Sequence, residues 1–209
     1  DTDAQGFGYL GLVLRDSGSL TTLAPFHPEV NYLYSPGFPA LVAYLGARLN
    51  AGLHTIQFAA GAVLSILFVW VAYDFGNELD PGESRRTGVA FGVAAFLSAG
   101  LITAYLDSHY TALMALVFAL AFLTFVMRFK REGRRADLWG AAICLAGVPL
   151  AQPDMTIILI LGYVPWLITM WLAKPRPTPA IWFGLAVVVP GLALIGLLPW
   201  IVRIAPLLG

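Results

Sequence analysis

Charge is what this sequence has least of. Of its 209 residues, 11% are Asp, Glu, Lys or Arg, against roughly 25% in a soluble domain. Hydrophobic residues make up 59%, so water is not the main solvent of this chain. The net charge is zero, which gives no electrostatic footprint for a nucleic acid or another polyanion. The single cysteine, Cys144, stands in an apolar run and has no partner for an intrachain bridge, so it reads as packing. Walker A, HExxH, paired CxxC and G-x-S-x-G motifs are all absent, which argues against an ATPase subunit, a zinc protease or a lipase of the familiar kinds. No basic segment followed by an apolar core opens the chain, so no signal peptide is visible. The expectation is instead a membrane helix ahead of Asp1.

What is present is a series of long apolar runs. A spanning helix needs about 20 predominantly apolar residues. Leu53 to Tyr73, Thr87 to Leu106, Thr111 to Met127, Met155 to Ala173 and Ala180 to Val202 qualify, with no ionisable group at their centres. Leu138 to Ala151 is also apolar but short enough to be either a thin span or a re-entrant segment, and the topology calls for a span. Backbone amides in hydrocarbon must be bonded within the protein, and continuous rather than alternating hydrophobicity selects helices. The fold class is therefore all-α, a polytopic transmembrane bundle of about six spans over 53–209, preceded at 1–52 by a structured external loop.

Loop charges orient the bundle. Arg85, Arg86, Arg128, Lys130, Arg131, Arg134, Arg135, Lys174 and Arg176 fall in alternate connections, which assigns those loops to the cytoplasmic side. The opposite loops hold Arg15, Arg48 and Arg203 together with Asp1, Asp3, Asp16, Glu29, Asp107, Asp154 and all three histidines. The first loop is too polar to span and too apolar for a linker. Phe7, Leu10 and Leu14 suit a short interfacial helix that stops at Asp16-Ser17-Gly18. After a loop through Pro25 and Pro28, Pro36-Gly37-Phe38-Pro39 opens a second helix carrying Leu41, Val42, Leu45 and Leu49.

Several polar residues could carry chemistry. Asp1-Thr2-Asp3 could hold a divalent cation, leave one carboxylate as a general base, or form a solvated acidic turn. Asp107 and His109 sit in a short connection, held near the external surface either for topology or facing a cavity. Asp154 follows Gln152-Pro153 and reads as a cap for the next helix. Tyr32, Tyr34, Trp166, Trp182 and Trp200 suit an aromatic belt, with Tyr34 set apart by its place beside Ser35-Pro36.

In order and topology these features resemble the GT-C superfamily of membrane glycosyltransferases, and within it the bacterial relatives of protein O-mannosyltransferases and of the lipid A aminoarabinose transferase. Asp1-Thr2-Asp3-Ala4-Gln5 is similar to the group's acidic motif after the first membrane helix. Tyr32-Leu33-Tyr34-Ser35-Pro36-Gly37-Phe38-Pro39 is similar to its Tyr/Pro loop. Tyr105-Leu106-Asp107-Ser108-His109-Tyr110 is similar to its acidic turn between the third and fourth helices. The chain departs from the group in two places: Tyr34-Ser35-Pro36 stands where aminoarabinose transferases carry acid-Lys-Pro, and the Trp-Trp-Asp signature of oligosaccharyltransferases is absent.

The resemblance implies transfer of a sugar from a polyprenyl-phosphate carrier to a hydroxyl of a protein, lipid or glycan acceptor, on the external face of a bacterial or archaeal plasma membrane. Asp3, with Asp1 as alternative, would be the base, and Asp107 would orient it or bind sugar hydroxyls. Tyr34 would line the site. Arg15, Arg48, Arg203 and His109 are candidates for the lipid phosphate, and a divalent metal on Asp1 and Asp3 is the other route. A transporter or channel subunit is the rival reading; it predicts ionisable groups at mid-helix and broken spans related by a repeat.

Overall fold

The computed structural model describes residues 2–19, 21–31, 34–80 and 82–207, with the backbone alone at 2–4 and 84. Helix α1 (Thr2–Ser17) ends at Gly18. A ribbon follows, β1 (Thr22–Leu23) antiparallel to β2 (His27–Asn31), where the sequence suggested only a Pro-rich loop. Helix α2 (Gly37–Leu49) closes on Asn50 in the left-handed conformation. The bundle is α3 (Leu53–Leu79), α4 (Ser84–Phe96), α5 (Ala99–Leu106), α6 (Tyr110–Glu132), α7 (Arg135–Ala151) and α8 (Pro153–Leu172). A last rod joins α9 (Pro179–Phe183), a π turn at Gly184–Val188 and α10 (Val189–Ile204).

The expected spans and the helices agree in number only in part. Four helices, α3, α6, α8 and the rod Pro179–Leu207, are long and apolar enough to cross a membrane. A fifth is counted if α4 and α5 are one span bent by 43°. In the sequence Thr87 to Leu106 is one uninterrupted apolar run. The break falls at Leu97 and Ser98, where Ser98 is extended (φ −65, ψ 120) and starts α5 afresh.

Helix α7 has 17 residues, about 26 Å of rise, and falls short of the span criterion. It nevertheless runs the length of α6. Thr111 Oγ1 donates to Gln152 Oε1 at 3.0 Å, Gly147 faces the ring of Phe118, and Gly140 faces that of Phe125. The two helices are therefore antiparallel with their ends level, and α7 does not turn back halfway. Helices in hydrocarbon gain little from the hydrophobic effect and associate by close packing of small residues. Gly140, Ala141 and Gly147 provide that surface on α7.

The same reasoning fixes which ends stand together. Gly61 of α3 packs on Tyr110 of α6, and Arg128 of α6 reaches Asp74 and Glu78 of α3, so α3 and α6 run the same way. Gly184 lies by Leu138 and Gly196 by Ala146, so the last rod runs with α7. One end of the bundle then gathers the N-termini of α3, α6 and α8, the C-termini of α5 and α7, and Arg203. The other gathers the connections that follow α3, α6 and α8, and most of the Lys and Arg lie in them or in the adjoining turns of the helices.

Helix α2 lies across the first of these ends. Gly37 touches Leu150 at the end of α7, the Phe38 ring packs at a tilt on Tyr110 at the start of α6, and Gly46 meets Leu53 at the start of α3. Helix α1 runs parallel on top of it, with Phe7 on Phe38 and Gly11 on Val42. Phe38 and Val42 are fully buried, which favours this packing by about 1.5–3 kcal/mol each. We call this the capped end and the other the basic end. At the basic end Glu78 binds two arginines: Arg128 Nε donates to Oε1 at 2.8 Å, and Arg131 Nη1 lies 2.7 Å from Oε2. The second contact attracts by charge without the alignment of a hydrogen bond.

Candidate functional site

At the capped end the loop before α2 meets the end of α7 for a stated chemical reason. The Pro149 carbonyl lies in the last turn of α7, which ends at Ala151 with the chain extended at Gln152, so its own helix offers it no amide. Ser35 supplies the missing donor: its Oγ bonds the Pro149 carbonyl at 3.2 Å, and the side chain is 2% exposed. Gly37 then passes so close that a Cβ there would fall 2.6 Å from the Leu150 carbonyl oxygen. Ser35 carried no signal in the sequence beyond its place in a Tyr/Pro run, because the need for it arises on another helix.

From this anchor a line of rings crosses to the turn at Asp107. Tyr34 and Phe7 are 5.8 Å apart by centroid, Phe7 and Phe38 5.8 Å, Phe38 and Tyr110 5.5 Å, and Tyr110 and Tyr105 6.1 Å. These separations lie within the range in which aromatic pairs attract. Tyr110 is fully buried and its ring is held against Gly61 of α3, where any side chain would collide with it. The turn itself is tight. Asp107 ends α5, Ser108 has φ +62, and the His109 amide donates to the Ala104 carbonyl at 2.8 Å. Asp107 and His109 are exposed and Ser108 is buried.

The sequence-predicted site residues divide into three groups. Tyr34, Asp107 and His109 stand along or at the end of the ring line. Arg15 and Arg48 lie instead at the far ends of α1 and α2, eight and ten residues beyond Phe7 and Phe38, or about 12 and 15 Å along the helices. Arg15 donates from Nε to Asp16 Oδ1 at 2.7 Å, a hydrogen bond that, with the charge of Asp16, raises its pKa above the ordinary arginine value. The Arg48 guanidinium sits over the ring of Tyr44. The side chains of Asp1 and Asp3 lie outside the described residues. Thr2 and Asp3 belong to helix α1 by their backbone, so the acidic motif extends into the helix rather than forming a turn ahead of it.

Asp154 stands in the first turn of α8 but makes no capping hydrogen bond; Gln152 holds the cap position and Pro153 the first helical one. Its carboxylate there still favours the helix N-terminus by charge. Two further polar groups were missed by sequence reasoning. Gln57, 3% exposed on the second turn of α3, has its Nε2 beside Gly8 and without a hydrogen-bond partner. The Tyr9 hydroxyl of α1 is likewise buried and unpartnered. Nothing in a linear sequence marks which amide of an amphipathic run turns inward.

An apolar cleft of about 580 Å³ opens beside the turn. It lies in the bend between α4 and α5, against α3, with Ile66, Val69, Phe96, Leu101, Tyr105 and Leu106 in its walls. Tyr105 thus belongs both to the cleft and to the ring line. Among the described residues no group of three or more His, Cys, Asp or Glu is placed to hold a metal ion. The metal expectation rested on Asp1 and Asp3, whose side chains are not described. No family model, curated protein or solved structure matches the chain.

Proposed function

We propose that this chain is a membrane-embedded glycosyltransferase that moves a sugar from a polyprenyl-phosphate carrier to an acceptor hydroxyl at the capped end, which the loop charges assign to the external face. The observation that carries the reading is the ring line from Tyr34 through Phe7, Phe38 and Tyr110. It joins the first fifty residues to the Asp107 turn, the two segments that are far apart in sequence and that bear the resemblance to GT-C enzymes. A donor of this class has an apolar tail and a charged head. The apolar cleft at the α4/α5 bend suits the tail, and the exposed Asp107 and His109, which follow the cleft-lining Leu106 in the chain, suit a polar head.

The chemistry asks for few groups. The acceptor oxygen attacks the anomeric carbon, the bond to the carrier phosphate breaks, and a carboxylate takes the hydroxyl proton as it becomes acidic. Asp3 is the base in this reading, with Asp1 as alternative, and Asp107 holds sugar hydroxyls or the base. Of the candidates for the lipid phosphate, His109 stands in the turn itself. Arg15 and Arg48 lie further away, with Arg15 engaged by Asp16.

The test uses the full-length protein in vesicles with radiolabelled polyprenyl-phosphate sugars and a membrane acceptor fraction. Asp3→Asn and Asp107→Asn should each lower transfer by roughly 100-fold or more, the range of a lost acid-base group, while inserting normally. Full transfer by both variants would remove the proposed site. Solute flux through the wild-type vesicles without any transfer would favour the transporter reading.

A further inference from the structure

A second cleft, remote from the Asp107 turn, lies toward the basic end. It has a volume of about 460 Å³, within the ordinary range for small-molecule sites of about 300–1,000 Å³. Its floor is α6 and its walls are α3 and α8, with Phe75, Leu79, Leu123, Met127, Gly162 and Trp166 among the lining residues. The walls are apolar, which suits a hydrocarbon chain. The edge is not. The Lys130 ammonium sits 5.6 Å from the centroid of the Trp166 ring, over its face.

The state of the neighbouring charges sets Lys130 apart. Arg128 and Arg131 are bound by Glu78, Arg131 and Arg134 by Glu132. Lys130 has no carboxylate within ion-pair distance among the described residues, and its long stem lets the ammonium reach the interface from the helix. A cation held over an aromatic ring at the mouth of an apolar cleft is complementary to a phosphate attached to an acyl chain. We infer that this cleft is a binding site for an anionic glycerophospholipid, with the chain between α3 and α8 and the phosphate at Lys130. The site is independent of the proposed transfer reaction and of which side of the membrane the basic end faces.

The full chain in a neutral detergent is titrated with phosphatidylglycerol or phosphatidylcholine, and bound lipid is counted by native mass spectrometry. Phosphatidylglycerol should bind more tightly. Lys130→Gln should weaken it about five-fold, the factor that one lysine near an anionic surface contributes, and leave phosphatidylcholine unchanged. Gly162→Leu supplies a second arm. A side chain at Gly162 meets nothing within 4 Å, so the variant should fold normally, fill the cleft and weaken both lipids. Arg135→Gln, an exposed charge at the same end, should do neither. Equal binding of the two lipids, an unaffected Lys130→Gln, an equal loss with Arg135→Gln, or undiminished binding by folded Gly162→Leu would each overturn the inference.

Discussion

The contact between Gly61 and Tyr110 is the point at which α3 holds the Asp107 turn in place, and it can be tested by a double-mutant cycle. A Cβ at Gly61 would collide with Tyr110 Cε1 and lie 2.7 Å from Cδ1 and 3.2 Å from Cζ. Tyr110 is fully buried with its ring between those of Phe38 and Tyr105, so it can yield only by displacing them. Gly61→Ala should therefore cost about 1–3 kcal/mol for overpacking, offset by up to about 1 kcal/mol for replacing glycine within a helix. Tyr110→Ala should cost about 3–5 kcal/mol, as for other large buried aromatics. In the double variant the void left by the ring accepts the methyl group. The overpacking vanishes, the helix gain remains, and the double variant should be as stable as Tyr110→Ala or slightly better. The cycle then shows a coupling of about 1–3 kcal/mol, well above the roughly 0.5 kcal/mol scatter of independent sites. Unfolding by SDS in mixed micelles, followed by circular dichroism, measures all four proteins. Additive costs would show that Gly61 and Tyr110 do not meet, and the link between α3 and the turn would fall with them. On the proposed function, Gly61→Ala should also reduce sugar transfer although Asp107 is intact.

Three further outcomes follow from the same packing. Ser35→Ala leaves the Pro149 carbonyl without a donor in a buried site, which should cost about 1–3 kcal/mol; Ser35→Thr, which keeps the hydroxyl, should recover part of it, and equal losses would show that the hydrogen bond is not the cause. Glu78→Gln removes the charge shared by Arg128 and Arg131, which are 33% and 42% exposed at the side chain. The loss should be about 1–3 kcal/mol, between that of a surface pair and a fully buried one, and an unchanged unfolding midpoint would show the network to be ornamental. In a Cys144→Ala background, a cysteine at Ala136 should be shielded from an impermeant thiol reagent in intact cells and one at Glu29 should react; the reverse pattern would invert the orientation.

Sequence reasoning located the helices better than it located their ends and bends. Apolar runs mark what a bilayer accepts, so α3, α6, α8 and the last rod were legible from hydropathy alone. The bend at Leu97 and Ser98 was not, because hydropathy measures transfer from water and carries no direction; the run contains no proline, and a Ser-Ala-Gly sequence breaks a helix only when neighbours provide for it. Helix α7 was ambiguous for a related reason. Its apolar stretch is short, and its register against α6, through Thr111 and Gln152 at one end and Gly140 at the other, shows that it lies alongside α6 from end to end. Of the residues gathered at the capped end, Tyr34, Asp107 and His109 stand out in their loops as candidates, while Ser35, Gln57 and Tyr110 do not. What gives those three residues a part is a partner more than 40 positions away in sequence or, for Gln57, the side of the helix that α1 covers.

The distribution of polar atoms along the bundle bears on the choice between an enzyme and a conduit. A transporter carries its substrate past mid-depth and needs polar or charged groups there, commonly at a broken helix. The break in this bundle is walled by Ile66, Val69, Phe96 and Leu101. Three hydroxyls within the helices are spent on their own backbones, Ser65 donating to the Gly61 carbonyl, Thr124 to Leu120 and Thr169 to Pro165, each between 2.8 and 2.9 Å, and the buried Tyr163 hydroxyl of α8 donates to the Leu185 carbonyl of the last rod at 3.0 Å. The buried polar atoms left without a hydrogen bond, among the described residues, fall near the two ends. Tyr9, Gln57 and Thr156 are at the capped end, and Asn77, Glu78 and Asp137 at the basic end. An unsatisfied donor or acceptor costs about 1–3 kcal/mol, so its position shows where the fold tolerates polarity. Between the two ends, among the described residues, no buried side-chain polar atom is left unsatisfied, so these helices offer no polar path of the kind the transporter reading requires. Charged substitutions that line the break, such as Val69→Asp, should accordingly impair insertion rather than open a path, and a stable, ion-conducting Val69→Asp protein would reverse the argument.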